Sequence, residues 1–189
     1  MELCGEEEMA ALVEAIQNDD TGDLDAIDKL LKRYRDDARL HFMRGSILAG
    51  CQKHIEAHAS LAKAVELAPE FHIARYQLGF FDLTSGEADR ALSTWGPLLR
   101  LPEEFYLRRL VEGLTHLIRD EFDEAIARLR EGITLNTENE PLNNDIRLLI
   151  AETEKTVKQG KKPAQGEDGG DQSATSILLG QFSGDSTRQ

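Results

Sequence analysis

The sequence is poor in several residue types, and each shortage excludes a class of protein. Its two cysteines, Cys4 and Cys51, have no partner spacing, so we expect free thiols and no disulfide framework. Only 6% of the residues are aromatic, so a core must depend on leucine, alanine and isoleucine, which suits helix-on-helix packing. No apolar run approaches the roughly 20 residues of a membrane-spanning helix, and no secretory signal is evident at the first residues. These absences predict a cytoplasmic protein without membrane insertion.

Basic residues are also in short supply. The chain of 189 residues has 22 lysines and arginines against 35 acidic residues, a net charge of −13. A field of this sign repels phosphate backbones, so nucleic acid is not an expected partner. The sequence has no phosphate-binding glycine loop, no Gly-x-Ser-x-Gly motif and no His-Glu-x-x-His motif. We therefore expect that the protein is not an enzyme and needs no cofactor.

The sequence does contain an internal repeat of 34 residues. Gly45, Gly79 and Gly113 are separated by this step. Other series keep the same register: Ala57, Ala91 and Ala125; Leu61, Trp95 and Leu129; Leu67, Leu101 and Leu135. Four series in one register indicate an array of one repeated supersecondary unit. Small residues at fixed places are typical of positions where two helices approach closely.

These series resemble the tetratricopeptide repeat (TPR), which has a small residue midway along its first helix and an alanine and an aromatic residue or leucine on its second. The resemblance covers about residues 4–156. It implies an all-α, right-handed α-solenoid of about four helical hairpins plus a C-terminal capping helix and a disordered tail. The predicted parts are a degenerate repeat 4–37, repeats 38–71, 72–105 and 106–139, and a capping helix 141–156. Pro97 falls inside the second helix of the third repeat and should bend that helix or end it early.

Residues 157–189 differ from the repeats in composition. They are rich in glycine and polar residues, which predicts a disordered tail, because such a segment cannot bury enough apolar surface to offset its chain entropy. A short apolar motif at 176–182 interrupts this tail. Its apolar members are Ile177, Leu178, Leu179 and Phe182. The preceding linker could reach back to the concave face of the solenoid, so intramolecular docking of the tail is one interpretation.

An apolar stripe on the first helices supplies the candidate partner-binding residues. In the resembling family these places line the concave groove. The candidates are Phe42, Ile73, Tyr76, Phe80, Leu83, Leu107, Leu110, Leu114 and Leu117. At the places where the family packs apolar residues, the fourth repeat instead has Arg109, Glu112 and His116. Two interpretations stay open: either the groove is unusually apolar, or the first helices are rotated and the stripe is ordinary core.

One set of residues has zinc-ligand types at short spacing. Cys51, His54 and His58 follow the pattern Cys-x2-His-x3-His. No fourth ligand is evident nearby, and Cys51 falls in a predicted turn. We therefore expect structural histidines and no metal site.

The sequence predicts a non-catalytic adaptor or scaffold that binds a peptide segment of a partner protein in its concave groove. Two alternatives remain. The chain also resembles, in charge, size and repeat number, the small TPR chaperones that hold clients of bacterial secretion systems. A third interpretation is a structural module whose tail performs the docking.

Overall fold

The computed structural model of the chain describes residues 3–17 and 23–158, and all regular secondary structure within these ranges is helical. The helices are α1 (Glu6–Gln17), α2 (Asp23–Arg33), α3 (Ala38–Gly50), α4 (His54–Leu67), α5 (His72–Thr84), α6 (Ala88–Trp95), α7 (Tyr106–Ile118), α8 (Phe122–Leu135) and α9 (Glu140–Lys158). A short 3₁₀ helix, Leu98–Arg100, lies between α6 and α7. The chain divides into two compact units, Met1–Leu78 and Gly79–Gln189, which we call unit 1 and unit 2.

The helix boundaries follow the repeat. The helices α3, α5 and α7 begin at Ala38, His72 and Tyr106, where the predicted repeats begin. Pro97 acts as expected, because α6 ends two residues before it, after only eight residues. The predicted capping helix is also present and runs from Glu140 to Lys158.

The turns within the hairpins repeat their backbone conformation. Gln52, Gly86 and Asp120 lie 34 residues apart, and their φ angles are 59°, 84° and 57°. Each follows the C-terminus of a first helix, where a left-handed residue lets the next N–H bond back to the helix. The Glu121 N–H donates to the His116 carbonyl at 3.0 Å, for example, and Lys53 does the same to Leu48 at 2.9 Å. The same turn therefore starts the second helix in three repeats, although only one of them has glycine.

Unit 1 contains α1 to α4 and the start of α5. Its first core cluster is formed by side chains from the N-terminal segment and the first three helices: Cys4, Leu12, Ile27, Tyr34 and Leu40. The α3–α4 hairpin packs where its residues are small. A Cβ atom added to Gly45 would lie 2.7 Å from Leu61 Cγ, and Ala57 is fully buried. These contacts place the glycine, alanine and leucine series at the interface between the two helices.

Unit 2 repeats this contact twice. A Cβ atom on Gly79 of α5 would lie 2.2 Å from Nε1 of Trp95, and one on Gly113 of α7 would lie 2.7 Å from Leu129 Cγ. Trp95 and Leu129 are fully buried. Gly132 makes the reverse contact: here the glycine lies on the second helix, α8, and faces Leu110 of the first helix, α7. Unit 2 is therefore built from hairpins whose helices are in contact at glycine.

The last helix, α9, packs against α8 through one face only. That face contains Asn143, Ile146, Leu149, Ile150 and Thr153, all of which are buried. The corner between the two helices is fixed by two buried amides. The Asn136 Nδ2 donates to Asn143 Oδ1 at 2.9 Å, and Asn143 Nδ2 donates to the Asn136 carbonyl at 2.9 Å. Because each amide satisfies the other, the angle at which α9 leaves α8 is set by specific hydrogen bonds.

Candidate functional site

The structure separates the nine candidate partner-binding residues into two groups. Six of them are buried: Tyr76, Leu83, Leu107, Leu110, Leu114 and Leu117. The other three, Phe42, Ile73 and Phe80, are half-buried. A buried side chain offers no surface to a partner, so the first group belongs to the core and only the second retains surface for binding. The core interpretation of the stripe therefore describes α7, and a binding role for the remaining residues stays a prediction.

The physical reason for this burial is visible at α8. A Cβ atom on Gly132 would come within 2.4 Å of Leu110 Cδ2. Leu110 thus fills the space above a glycine on the second helix of its own hairpin. Every side chain of the stripe on α7 is at most 2% exposed. The α7 stripe is the face by which the helix packs inside unit 2, as the rotated-helix alternative expects.

Two of the charged residues at the places where the resembling family has apolar ones, Arg109 and Glu112, belong to a network of ion pairs. The third, His116, pairs separately with Glu121. The members of the network come from α7, α8 and the segment before α7: Glu103, Arg108, Arg109, Glu112, Arg128 and Glu131. Arg109 is the centre. Its Nη1 donates to Glu112 Oε2 at 2.9 Å and its Nη2 donates to Glu103 Oε2 at 3.0 Å. Its side chain is only 14% exposed. The carboxylates of Glu103, Glu112 and Glu131 pair with it from three sides.

The network favours the ionised form of Glu112. Burial alone would raise the pKa of Glu112, but hydrogen bonds from Arg108 and Arg109 outweigh burial, and the pKa of this carboxyl is lowered. Hydrogen bonding to Glu112 in turn raises the pKa of the Arg109 guanidinium, against the effect of burial. Charged partners at this depth cost little only when each is paired. The network therefore links α7 to α8 through ion pairs of Arg109 with Glu131 and of Glu112 with Arg128.

An open depression lies beside the network on unit 2. It has a volume of about 550 Å³, and acidic and basic side chains surround it together with Leu135, which is 40% exposed. Arg109 lines one side of it, and Arg130, which donates to Glu154 at 2.7 Å, lines another. The depression therefore has a rim of both charge signs and one exposed leucine.

Sequence reasoning missed a third feature, the attachment of the N-terminal segment in unit 1. Asp37 caps α3 by accepting from the Arg39 N–H at 3.0 Å, and its other oxygen accepts from the Cys4 N–H at 3.0 Å. Arg39 donates from Nη2 to the Cys4 carbonyl at 2.7 Å. One aspartate and one arginine thus bind both backbone groups of Cys4. Asp37 thus serves both as the N-cap of α3 and as the acceptor that holds the N-terminal segment.

These contacts shift two pKa values in unit 1. Burial acts to raise the pKa of Asp37, but the hydrogen bonds from Arg39 and Cys4 reverse this and hold it below its ordinary value. Burial, followed by the charges of Glu8 and Asp37, raises the pKa of the Cys4 thiol. Cys4 is buried and Cys51 is exposed, so the two thiols differ in access to solvent.

The remaining predicted sites divide between what the structure describes and what it does not. Cys51, His54 and His58 lie at the α3–α4 turn and the start of α4. Among residues 3–17 and 23–158, no group of three or more potential ligand side chains is arranged to hold a metal ion. The tail motif, Ile177, Leu178, Leu179 and Phe182, lies outside the described residues. Within the described part of the chain, no helix is both long enough and apolar enough to cross a membrane.

Comparison with known proteins bears on the fold. No protein-family model matches the chain, and no curated protein matches its sequence. Several solved structures are similar to it, among them those of MamA and Tom70. MamA from Desulfovibrio magneticus RS-1, from residue 41 to its end, has a TM-score of 0.56 at 15% identity, over 81% of this chain and 92% of that one. Yeast Tom70 has a TM-score of 0.55 at 23% identity, over 79% of this chain but only 31% of that one.

Both of these structures are of the TPR type. The fold of the chain is therefore all-α and TPR-like, and the fold predicted from the 34-residue register is confirmed. At these identities the likeness concerns the fold alone.

Proposed function

We propose that the chain is a non-catalytic protein–protein interaction module, an adaptor or scaffold that binds a peptide segment of a partner protein. The observation that carries this proposal is the TPR-like hairpin fold. Stacked helical hairpins present equivalent positions of successive helices side by side and so form extended binding surfaces. Such a surface can recognise a peptide through a few side chains spaced along it.

The side chains best suited to this role are the stripe residues that retain surface. In unit 1, Phe42 on α3 packs against Phe71 with ring centroids 5.2 Å apart and stays half-buried. Ile73 on α5 is also half-buried. In unit 2, Phe80 lies one 34-residue step before Leu114 and is half-buried as well. A half-buried aromatic ring supplies contact area at low entropic cost, which is typical of residues that dominate binding energy.

The proposal is tested by capture of the partner with the intact chain, followed by substitution. Phe42→Asp and Phe80→Asp should each weaken capture at least tenfold, because a charge is placed where an apolar contact is expected. Ile55→Asp is the matched control: Ile55 is 88% exposed on α4 and lies outside the stripe. Circular dichroism must show that all variants keep wild-type helicity. Equal capture by all of them would remove these residues from the binding surface.

A second candidate function is a small acidic chaperone for a client of a bacterial secretion system. The observations in its favour are the net charge of −13 and the small size of the chain. A chaperone of this kind should copurify with one large client in a fixed ratio, whereas an adaptor should recover a multiprotein assembly. Size-exclusion chromatography of the purified complex with mass spectrometry distinguishes the two.

The charge also bears on the class of partner. A net charge of −13 favours protein over nucleic acid, because phosphate groups are repelled at moderate ionic strength. We infer a partner segment that is apolar or basic, and a cytoplasmic site of action. A filter-binding assay with single- and double-stranded oligonucleotides at low salt tests whether nucleic acid is excluded as a partner. Saturable binding would contradict that exclusion.

A further inference from the structure

The exposed face of α9 corresponds to a buried face of α7. Adding the 34-residue step to the α7 stripe gives four positions on α9: Pro141, Asn144, Leu148 and Ala151. The four leucines on α7 are buried, whereas all four α9 residues are exposed. Leu148 is 60% exposed, although its equivalent Leu114 is fully buried. The difference lies in what covers the helix, because both positions hold leucine.

On α7 this side of the helix is covered by the second helix of the hairpin. Gly132 of α8 lies over Leu110, and Leu129 lies over Gly113. The equivalent positions on α9 are Asn144 and Arg147, and both are exposed. The side of α9 that is buried faces α8 instead. Among residues 3–17 and 23–158, nothing covers the α9 face that a hairpin partner would occupy; we call the face formed by Asn144, Arg147, Leu148 and Ala151 the open face of α9.

The helix also passes the point where a hairpin turn would occur. Gln52, Gly86 and Asp120 adopt left-handed conformations at the turns, and the next position in register is Glu154. Glu154 lies inside α9, which is 19 residues long where α7 has 13. A segment that covers the open face must therefore come from further along the chain or from another molecule.

The chain supplies a suitable segment. Residues 159–189 follow α9, and their apolar cluster is the tail motif Ile177, Leu178, Leu179 and Phe182. A random-coil segment as long as 159–175 has a root-mean-square span of roughly 20–25 Å. The helical rise from Leu148 to Lys158 is about 15 Å. The linker is thus long enough to return the motif to the open face without being so long that it dilutes its effective concentration below the millimolar range.

Charge favours the same direction of approach. The last turn of α9 contains Lys158 and Lys155, which pairs with Glu152. The linker has Lys161 and Lys162 near its start, and its acidic residues, Glu167, Asp168 and Asp171, come later. Acidic residues beside a basic helix C-terminus are attracted to its lysines. They are repelled by the acidic residues elsewhere on the chain.

We propose that residues 176–182 dock in cis on the open face of α9, where they take the place of a hairpin's second helix. The contact pairs apolar side chains of the tail motif with Leu148 and Ala151. This docking does not depend on the proposed partner-binding surface, which involves other helices. It gives the chain an end that can exchange its own tail for an apolar segment of another molecule.

Amide hydrogen exchange of the full chain at micromolar concentration tests the proposal. Exchange at 176–182 should be at least tenfold slower than in the Leu148→Glu variant, which places a charge on the open face. Leu135→Glu is the matched control, because it makes the same substitution at an exposed leucine of α8 outside that face. Phe182→Asp, a second variant in the tail itself, should also release the remaining motif amides. Circular dichroism and Trp95 fluorescence check that the helices are unchanged.

Three results would overturn the proposal. Random-coil exchange at 176–182 in the wild-type chain would mean that the motif does not dock. Slow exchange that persists in Leu148→Glu would place the motif on another surface. Slow exchange that is lost on tenfold dilution would mean that the open face is occupied by a second copy of the chain. None of these results bears on partner capture through Phe42 or Phe80, so the two proposals fail independently.

Discussion

Replacing Gly79 with alanine perturbs the closest helix contact in unit 2. A Cβ atom at this position would lie 2.2 Å from Trp95 Nε1 and 2.6 Å from both Cδ1 and Cε2. Optimal contacts between heavy atoms are about 3.5–4.0 Å. The indole is fully buried and rigid, so it cannot relieve the overlap by rotating a distal methyl group, as a leucine could. Either the indole or the backbone of α5 must move by about 1 Å.

The magnitude follows from two opposing effects. Alanine is a better helix former than glycine by about 1 kcal/mol, which favours the variant. Overpacking of a close-packed core typically costs about 1–3 kcal/mol, and the rigid ring puts this site at the upper end. We expect a net loss of about 2 kcal/mol in the free energy of unfolding. With a urea m-value of about 2 kcal/mol/M, the midpoint should fall by about 1 M.

The assay is urea denaturation followed by fluorescence. The chain has one tryptophan, Trp95, so fluorescence reports on unit 2 alone, and circular dichroism provides a second probe. Gly50→Ala is the matched control: a Cβ atom there meets nothing within 4 Å, so this variant should be as stable as the wild type or slightly more so. If Gly79→Ala were as stable as Gly50→Ala, the proposed contact between Gly79 and Trp95 would be refuted.

Three further predictions concern other contacts. Ala91→Leu should cost about 1–3 kcal/mol in a urea denaturation, because Ala91 is fully buried on α6. Asp37→Ala should cost about 2 kcal/mol, since it removes an N-cap and an acceptor for a buried N–H, and it should turn Cys4 from a slow thiol into a fast one in a thiol-labelling assay. Glu112→Gln should be less stable than the wild type at pH 7, and the difference should shrink as the pH falls below about 4, because a lowered folded-state pKa adds stability only while the carboxyl is ionised.

The controls for these variants are internal. For Asp37→Ala, the exposed thiol of Cys51 should label quickly in both proteins, and an unchanged slow rate at Cys4 would contradict the role given to Asp37. For Glu112→Gln, a stability difference that is constant from pH 3 to pH 7 would mean that the ionised carboxylate does not contribute. Wild-type stability of Ala91→Leu would argue against close packing at α6.

The fold was predictable because its signal is repeated. Each close contact between helices needs a small residue, and the 34-residue step displays three such residues in register. The turns show the limit of local reasoning. Gly86 is a familiar signal for a left-handed residue, but Gln52 and Asp120 adopt the same conformation without being glycine. Only their place in the register identifies them. The backbone hydrogen bonds that follow each turn offset the cost of a positive φ angle at these residues.

The candidate site was less predictable, because contacts between distant residues decide it. The sequence shows that Arg109 occupies a place where the resembling family packs an apolar residue. It does not predict the three carboxylates that pair with Arg109. Two of them, Glu103 and Glu131, lie on either side of it in the sequence, outside its own helix. Likewise, the hydrogen bond between Asp37 and Cys4 joins residues 33 positions apart, and no local pattern in the sequence predicts it.

The apolar stripe shows why residue type does not settle whether a position is core or surface. Leu114 and Leu148 occupy equivalent places in the repeat, yet one is fully buried and the other is 60% exposed. A leucine at this position is buried when a second helix lies over it, as α8 does over α7. It is exposed on α9, over which no second helix lies among residues 3–17 and 23–158. Burial is therefore a property of the neighbouring helix. For the same reason, an apolar residue that the register places at the end of an array is a better candidate for binding than an identical residue within it.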